Sequence, residues 1–364
     1  MTTPLRVAIV GFGGAGSILH GPLIAATDGM EVAAVVTSNP QRAAQAKRAH
    51  PSARVVATVD ELWKRTDHLD LVVVATPNRH HAPIAEAAMR SGLAVVVDKP
   101  MATETVDAER LLVVSNETGA LLTVFHNRRW DNDFRTVRRV VNDERCGQTL
   151  RFESRYERFR PTARTGAWRE GADPRDGGGL LFDLGSHIID QALQLFGEPA
   201  AVYCEAEHRR AGVEVDDDTF VSLTFGNGVI AHLWMSAVTV PNAPRMRVVG
   251  TGGVFEKFGM DPQEEALKAG RSPGDPGWGE ESSDHWGVLT LGTDDDNAAS
   301  ERIRSERGAY DHFYAAMRDA MQGASPVPVE PEGAVATLRV IEAARRSARD
   351  RTVVTGRTSA EACS

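Results

Sequence analysis

Six residues near the start of the chain constrain its fold more than any others: Gly11-Phe12-Gly13-Gly14-Ala15-Gly16. They follow an apolar run, Arg6–Val10, and precede a helical pattern that begins at Ser17. The spacing G-x-G-x-x-G is typical of a strand that turns tightly into a helix whose N-terminus binds phosphate groups. Since the chain contains 33 glycines, a merely structural glycine turn is the alternative. The strand before the run and the helix after it favour a dinucleotide site.

The first third of the chain alternates short apolar runs with longer segments of helical period. Each run is apolar at consecutive positions, which is typical of parallel strands buried on both faces. Repeated units of this kind predict a doubly wound α/β (Rossmann) domain over residues 1–129. The predicted strands are Arg6–Val10, Glu31–Val36, Arg54–Val59, Leu71–Ala75, Ala94–Val97 and Leu121–Phe125.

Residues 130–356 show longer apolar segments with more alternation. Alternation indicates strands with one buried face, and the compact turn Gly226-Asn227-Gly228 indicates a hairpin. Antiparallel strands joined by turns predict an α+β second domain, followed by a polar tail at 357–364. Its predicted strands are Thr149–Phe159, Ala201–His208, Thr219–Phe225, Val229–Val238 and Met246–Phe258, and its helices are Asp131–Glu144, Leu181–Phe196, Ala309–Gln322 and Gly333–Asp350.

Composition excludes several classes of protein. The 41 basic and 50 acidic residues give a formal charge of 41 − 50 = −9, whereas a nucleic-acid binder is usually basic. No apolar stretch approaches the roughly 18 residues of a membrane span, and no secretion signal is recognisable, so we expect a cytoplasmic protein. Cys146, Cys204 and Cys363 are far apart, so neither a disulfide framework nor a metal site is predicted.

The corner after the second predicted strand reads Thr37-Ser38-Asn39-Pro40-Gln41-Arg42. An NAD-specific domain places Asp or Glu there to bond the ribose 2′-hydroxyl, and this corner contains neither. Ser38 and Asn39 can donate hydrogen bonds to a 2′-phosphate, and Arg42 can supply positive charge. The corner therefore favours NADP over NAD, the alternative being that Arg42 is only a solvated helix residue.

Asp98-Lys99-Pro100 follows the fifth predicted strand, at the carboxyl edge where doubly wound sheets bind ligands. A lysine held there can reach a substrate oxygen. The proline restricts the backbone of Lys99 and permits a cis peptide bond, a device that fixes a side chain at a turn. A solvated Lys-Pro corner is the alternative.

A second chemical cluster joins the glycine run Gly177-Gly178-Gly179 to Asp183 and His187. At positions i and i+4 of a helix, the two side chains project from one face. A carboxylate orients an imidazole, and histidine titrates near neutrality, as a base that accepts an alcohol proton must. A structural Asp-His pair is the alternative, but the glycine run, which lets a backbone or a ligand come close, favours a site.

Together, the glycine loop, the Asp98-Lys99-Pro100 strand end and the Gly177–Asp190 cluster resemble the glucose-fructose oxidoreductase/inositol dehydrogenase/rhizopine catabolism (Gfo/Idh/MocA) family, in the family's order and over residues 4 to 355. Many members read Glu-Lys-Pro at the strand end, so Asp98 departs from that pattern. Asp-Lys-Pro is common among the NADP-dependent scyllo-inositol dehydrogenases of this family. Further stretches that look like that subgroup are Thr76–Asn78, Phe125–Asp131, Arg158–Pro161, Asp190–Leu193 and Asp261–Glu265.

The resemblance implies a Rossmann domain followed by a domain with an open, mostly antiparallel sheet, through which copies of the chain form a dimer or tetramer. It also implies hydride transfer between a nicotinamide and a carbinol of a sugar or polyol, with scyllo-inositol and its 2-keto form as the expected pair. His187 matches the family's acid/base, and Lys99 and Asp183 match its partners. The expected cofactor contacts outside the glycine loop and its corner are Thr76, Pro77, Asn78, His81, Asp98, Lys99, Asn127, Trp168 and Arg169.

Several alternatives stay open at this point. Arg158 and Arg160 either line the polyol pocket or are solvated residues of an alternating strand. His20 is expected to pack rather than to react. The same machinery fits an aldose or deoxysugar dehydrogenase, because hydroxyl stereochemistry is recognised by pocket geometry. A catalytically silent NADP-binding regulator is the third possibility, although Lys99, Asp183 and His187 are all present.

Overall fold

The computed structural model describes residues 3–163, 170–171, 173–292 and 298–356. The chain divides into two compact units. The first unit includes two later segments that the sequence patterns assign to the second domain. The predicted polar tail, residues 357–364, lies outside the described residues. The first unit consists of Met1–Asn127, Pro262–Gly279 and Ala309–Val335, and the second of Arg128–Asp261, Glu280–Gly308 and Ala336–Ser364.

The regular elements of the described residues are numbered in chain order. The strands are β1 (Leu5–Val10), β2 (Met30–Val36), β3 (Arg54–Val56), β4 (Leu71–Val74), β5 (Ala94–Asp98), β6 (Leu122–Phe125), β7 (Thr149–Glu157), β8 (Pro199–Glu207), β9 (Asp218–Phe225), β10 (Ile230–Ser236), β11 (Met246–Gly250), β12 (Gly253–Lys257), β13 (Gly287–Gly292), β14 (Ala298–Ile303) and β15 (Val354–Thr355). The α-helices are α1 (Gly21–Ala25), α2 (Pro40–Ala49), α3 (Val59–Trp63), α4 (His81–Arg90), α5 (Thr105–Thr118), α6 (Asn132–Asn142), α7 (Ser186–Phe196), α8 (Gln263–Lys268), α9 (Asp311–Met321) and α10 (Pro331–Asp350).

Six parallel strands form the sheet of the first unit, in the order β3-β2-β1-β4-β5-β6. Residues Val7–Val10 and Leu71–Val74 of the central strands are at most 1% exposed, as expected for strands between two layers of helices. The strand order reverses between β1 and β4, and ligands bind outside the carboxyl ends of strands at such a point. The predicted doubly wound fold is confirmed.

Nine strands form the sheet of the second unit, in the order β14-β13-β12-β11-β7-β10-β9-β8-β15. All neighbours are antiparallel except β7 and β10, which run parallel, so the sheet is mostly antiparallel as expected. Helix α7 packs on one face, where the Phe196 ring lies 6.0 Å from that of Phe152. The opposite face presents Phe220, His232 and Trp234, whose ring centres lie between 5.2 and 5.8 Å apart.

Two predicted strands differ from the structure by more than one or two residues at their ends. The predicted strand Arg54–Val59 ends at Val56, because Thr58 Oγ1 accepts a hydrogen bond from the amide of Glu61 and so begins α3. The predicted strand Met246–Phe258 is two antiparallel strands, β11 and β12, joined by a turn at residues 251–252. The sequence patterns also missed α8, β13, β14 and β15.

Candidate functional site

The glycine loop connects β1 to a π-helical segment, Ala15–His20, that continues into α1. Gly11 has φ = +96°, and a side chain there would overlap the carbonyl group of Ala75 at the end of β4. A Cβ on Gly16 would overlap the carbonyl oxygen of Gly11. At Gly14, by contrast, a Cβ would have no atom of the described residues within 4 Å. The loop is therefore tight on its strand side and open at Gly14, as a phosphate site requires.

The corner after β2 lies against this loop. Asn39 Oδ1 accepts hydrogen bonds from the amides of Gln41 (2.9 Å) and Arg42 (3.1 Å), so Asn39 caps α2. The guanidinium of Arg42 lies 3.7 Å from the position that a Cβ on Gly13 would occupy. Ser38 and Arg42 are not buried. The structure thus brings together the loop and the cationic side chain that the sequence assigns to the 2′-phosphate.

Phe12, also expected to contact the cofactor, has a buried side chain. It is 1% exposed, and its ring lies edge-on to that of His50 at 6.0 Å. A cofactor contact by Phe12 therefore has to come from its backbone.

The ends of β4 and β5 are joined by His81. Its ring nitrogens lie 2.8 Å from the carbonyl oxygen of Pro100 and 2.9 Å from that of Thr76, and the residue is 1% exposed. The Lys99-Pro100 peptide bond is cis, as the sequence permits. Asp98 Oδ1 accepts a hydrogen bond from the amide of Lys99 (2.8 Å). His81 thus positions both turns, and a direct contact between His81 and the cofactor stays a prediction.

Two buried polar atoms at this edge have no hydrogen-bond partner among the described residues: Asn127 Nδ2 and Thr76 Oγ1. Asn127 is 3% exposed and follows β6, whereas Thr76 follows β4. Pro77 comes next, and Asn78, which begins the short 3₁₀ turn Asn78–His80, is 6% exposed. Buried polar groups are normally satisfied, so a donor and a hydroxyl left over here fit a polar ligand such as a nicotinamide carboxamide.

His20 ends the π-helical segment and is completely buried. Its Nδ1 lies 2.6 Å from the hydroxyl of Tyr314 in α9, and its ring lies 4.3 Å from that of Phe125. Burial lowers the pKa of His20 to about 4, so the ring is neutral at pH 7. His20 packs, as expected, and its partner Tyr314 is a residue that the sequence reasoning missed.

Asp183 and His187 belong to the second unit, whereas Lys99 belongs to the first. Asp183 lies in a π-helical segment, Leu181–Gly185, and His187 is the second residue of α7. The sequence reasoning assumed a continuous α-helix, so the geometry of the pair differs from the expectation although both residues lie on one helical element. π-Helical turns occur often at functional sites.

Arg158, just after β7, lies beside the Asp183 carboxylate, with Nη2 3.7 Å from Oδ2. Its backbone amide donates to the carbonyl of Ser236 (2.9 Å), and that of Arg160 donates to the carbonyl of Ala237 (2.7 Å). Arg158 is half-buried and Arg160 is exposed. The structure therefore brings Arg158 to the predicted catalytic carboxylate. Trp168 and Arg169 lie outside the described residues.

The glycine run before Asp183 makes room for a side chain. Gly179 has φ = +93°, and a Cβ there would overlap Oδ1 of Asp216. The sequence predicts that a backbone or a ligand approaches the glycine run. At Gly179 the group that approaches is instead the side chain of Asp216. Nothing in the acidic run Asp216-Asp217-Asp218 indicated this contact at the sequence level.

Asp190, the last residue of the cluster, forms a buried ion pair with Arg129. Arg129 Nε donates to Asp190 Oδ2 (2.8 Å) and Nη2 to Oδ1 (2.6 Å), and the two side chains are 11% and 2% exposed. One residue further, Gln191 Nε2 donates to the carbonyl of Arg128 (2.9 Å). Asp190 and Gln191 thus hold the Arg128-Arg129 segment against α7.

Membrane, metal and thiol sites gain no support from the structure. Within the described ranges, no helix is long and apolar enough to cross a membrane. Nor do these ranges contain a group of three or more His, Cys, Asp or Glu side chains placed to hold a metal ion. Cys146 and Cys204 are buried thiols, and burial raises the pKa of Cys204 to about 12, so this thiol is not a nucleophile at neutral pH.

Comparison with known proteins gives the same picture over nearly the whole chain. A scyllo-inositol 2-dehydrogenase (NADP(+)), IolW of Bacillus subtilis, is 35% identical over 96% of this chain and 95% of that protein. The uncharacterized oxidoreductase YdgJ of Escherichia coli is 36% identical over 96% of this chain and 98% of that protein. The solved structure of yvaA from Bacillus subtilis has a TM-score of 0.92 at 33% identity, covering 98% of this chain and 99% of that one.

Two family descriptions divide the chain between them. The oxidoreductase family with an NAD-binding Rossmann fold matches residues 5–126, and the C-terminal alpha/beta domain of the oxidoreductase family matches residues 138–355. The chain therefore belongs to the Gfo/Idh/MocA family of oxidoreductases, with a nucleotide-binding Rossmann domain followed by the family's C-terminal domain.

Proposed function

We propose that this oxidoreductase is an NADP-dependent dehydrogenase that transfers a hydride between the cofactor and a carbinol of a cyclic polyol, with scyllo-inositol and its 2-keto form as the substrate pair. The observation that carries the proposal is the grouping of Asp183 and His187 on one helical element, with Arg158 beside the carboxylate. The name of the similar protein IolW, which is 35% identical, supports the choice of substrate and cofactor.

The residues of the first unit fit a dinucleotide. The glycine loop is open at Gly14, and Arg42 places a positive charge next to Gly13. Asn127 Nδ2 and Thr76 Oγ1 are buried polar atoms that a nicotinamide carboxamide would satisfy. Since no carboxylate follows β2, the ribose end of the site favours a 2′-phosphate, and hence NADP, over a 2′-hydroxyl.

Oxidation of a carbinol breaks a C–H and an O–H bond and forms a carbonyl. The glycine loop and Arg42 would hold NADP, which would supply the acceptor for the hydride from carbon. His187 takes the hydroxyl proton as general base, and Asp183 orients the substrate and the imidazole. Lys99 donates a hydrogen bond to the reacting oxygen, which stabilises the negative charge that develops there. Arg158 and Arg160 bind further hydroxyl groups, and Trp168 and Arg169 contact the cofactor. In the reverse direction, His187 returns the proton.

The test is a spectrophotometric panel of inositols, inososes and common aldoses with NADP(H) and NAD(H). We expect NADP reduction with scyllo-inositol, or NADPH oxidation with its 2-keto form. Preference for an aldose or deoxysugar would contradict the proposed substrate but not the proposed catalytic residues. Tight NADP binding without turnover of any compound in the panel would contradict the proposal that the protein is a dehydrogenase. It would favour an NADP-binding regulator.

We also propose that copies of the chain pair through the second sheet, as a dimer or tetramer. The face opposite α7 carries the aromatic cluster Phe220, His232 and Trp234, and Arg155 stacks over Trp234 at 4.0 Å. Aromatic residues and arginine are enriched in interfaces between proteins. Sedimentation equilibrium of the wild type and of Trp234→Glu checks this, since a monomeric wild type would contradict it.

A further inference from the structure

Asp216 lies in the acidic run Asp216-Asp217-Asp218, where β9 begins. A run of three carboxylates is usually solvated, and Asp218, the first residue of β9, is partly so, with a side chain that is 36% exposed. Asp217, in contrast, is completely buried. The three neighbouring carboxylates therefore have different surroundings, and Asp216 and Asp218 form a matched pair for comparison.

The Asp216 carboxylate binds the start of the π-helical segment. Its Oδ2 accepts hydrogen bonds from the amide of Leu181 (2.7 Å) and the hydroxyl of Thr219 (2.8 Å). Its carbonyl oxygen accepts a hydrogen bond from the amide of Leu180 (3.0 Å). The first amides of a helix have no partner within the helix, and a negative charge is favourable there. Asp216 therefore holds this segment at its first turn.

Gly179 links Asp216 to Asp183. Gly179, with φ = +93°, lies so close to Asp216 that a Cβ would overlap Oδ1. The carbonyl of Gly179 accepts a hydrogen bond from the amide of Asp183 (3.1 Å). Hydrogen bonds and this close approach thus connect Asp216 to the turn that bears Asp183.

Asp217, the next residue of the run, anchors the segment that carries Arg158 and Arg160. Asp217 Oδ2 accepts a hydrogen bond from Arg210 Nε (2.9 Å), and the two side chains are at most 5% exposed. The carbonyl of Asp217 accepts from the amide of Ala237 (2.9 Å), whose own carbonyl accepts from the amide of Arg160 (2.7 Å). The segment that carries Arg158 and Arg160 is therefore anchored at the same loop.

We propose that Asp216 is a positioning residue for the reaction, because its carboxylate fixes the π-helical turn that places Asp183 beside Arg158 and leads into His187. The proposal rests on the proposed function, in which Asp183 and His187 meet the substrate. Asp216 itself touches neither substrate nor cofactor in this scheme. The need for glycine at position 179, with its positive φ, is then a consequence of the space that the carboxylate occupies.

The test compares Asp216→Asn with the control Asp218→Asn in the full chain. Asn keeps the shape of the side chain but loses the negative charge, so its one remaining oxygen accepts the bonds from Leu181 and Thr219 more weakly than the carboxylate does. We expect kcat to fall about 10- to 100-fold in Asp216→Asn, since small displacements of reacting groups have effects of that size. The Kd for NADP should change by less than about twofold in both variants, because the glycine loop lies in the other unit.

Hydrogen–deuterium exchange of the peptide 180–187 supplies a readout that does not depend on any substrate. Exchange should become faster in Asp216→Asn and stay at the wild-type rate in Asp218→Asn. Unchanged exchange of that peptide, a kcat like the wild type's, or a loss of NADP affinity equal to the loss of kcat would each overturn the proposal. If the wild type turns over no compound of the panel, the proposed function fails, and the exchange rates still decide whether Asp216 fixes the turn.

If Asp216→Asn does not fold, Thr219→Val decides the question. This substitution removes only the hydroxyl that donates to Asp216 Oδ2 and keeps the size of the side chain. We expect a fall in kcat of about 3- to 10-fold and faster exchange of 180–187, less than in Asp216→Asn because the charged carboxylate and its bond from the amide of Leu181 remain. Unchanged kcat and exchange in Thr219→Val would overturn the proposal.

Discussion

Arg42 is the side chain through which the cofactor preference can be tested most directly. The cap that Asn39 forms on α2 sets the first turn of this helix, and the Arg42 guanidinium lies 3.7 Å from where a Cβ on Gly13 would be. A hydrogen bond to a charged group contributes about 1.5 to 3 kcal/mol, which corresponds to roughly ten- to a hundredfold in Kd. Because Arg42 is not buried and its charge is screened by salt, we expect the lower end, about tenfold.

The measurement is the Kd of NADP and of NAD by isothermal titration calorimetry at one ionic strength. Arg42→Ala should weaken NADP binding about tenfold and leave NAD binding within about twofold, since only NADP carries the 2′-phosphate. Arg48→Ala is the control, because Arg48 is an exposed arginine of the same helix. Ser38→Asp should also lower the NADP preference, by placing a carboxylate near the ribose.

Two results would refute this reasoning in different ways. Equal wild-type affinities, or a preference for NAD, would contradict NADP as the cofactor. An unchanged NADP/NAD ratio in Arg42→Ala would keep the cofactor and move its cause to Ser38 and Asn39.

Three further predictions concern catalysis, stability and pH. His187→Ala should lower kcat by about 10²-fold or more with little change in the Kd for NADP, whereas the exposed His285→Ala should keep wild-type kcat in the same steady-state assay. Arg129→Ala should lower the free energy of unfolding by about 3 to 5 kcal/mol in urea titrations, because it leaves Asp190 buried without its partner, and a loss under about 1 kcal/mol would contradict this. The pKa of His20 is lowered to about 4 by burial, so the unfolded chain binds a proton below pH 6.5 that the folded chain does not. The free energy of unfolding of the wild type should therefore fall by about 2 kcal/mol from pH 7 to pH 5, and that of His20→Gln should fall by less. An equal fall in both would contradict the lowered pKa of His20.

The sequence predicted the first sheet well because its strands are apolar at consecutive positions. Residues such as Val7–Val10 and Leu71–Val74 are buried on both faces, and that environment leaves a direct pattern in the sequence. The glycine loop and the Lys99-Pro100 turn were likewise placed correctly at the carboxyl ends of strands. Their positions follow from local chain geometry, which short motifs encode.

The sequence did not predict contacts between distant residues. Nothing in the local pattern pairs His20 with Tyr314, which are 294 residues apart, or Gly179 with Asp216. The π-helical turns were missed for a similar reason, since the spacing of Asp183 and His187 fits either kind of helix. Pairing partners that are set by tertiary structure leave no periodic signal.

The first unit is built from segments that are far apart in the chain, which affects how it folds during synthesis on the ribosome. His20 and Phe125 pack against Tyr314, and the Phe125 ring also meets Phe313 at 4.8 Å, so residues of α9 cover an apolar surface made from the start of the chain. During synthesis that surface stays uncovered until α9 emerges, after β7 to β14 have been made. The nucleotide-binding unit is therefore the first to be synthesised, but its folding is completed only after α9 has been made. A fragment ending at residue 129 exposes the rings of His20 and Phe125 to solvent and to other nascent chains.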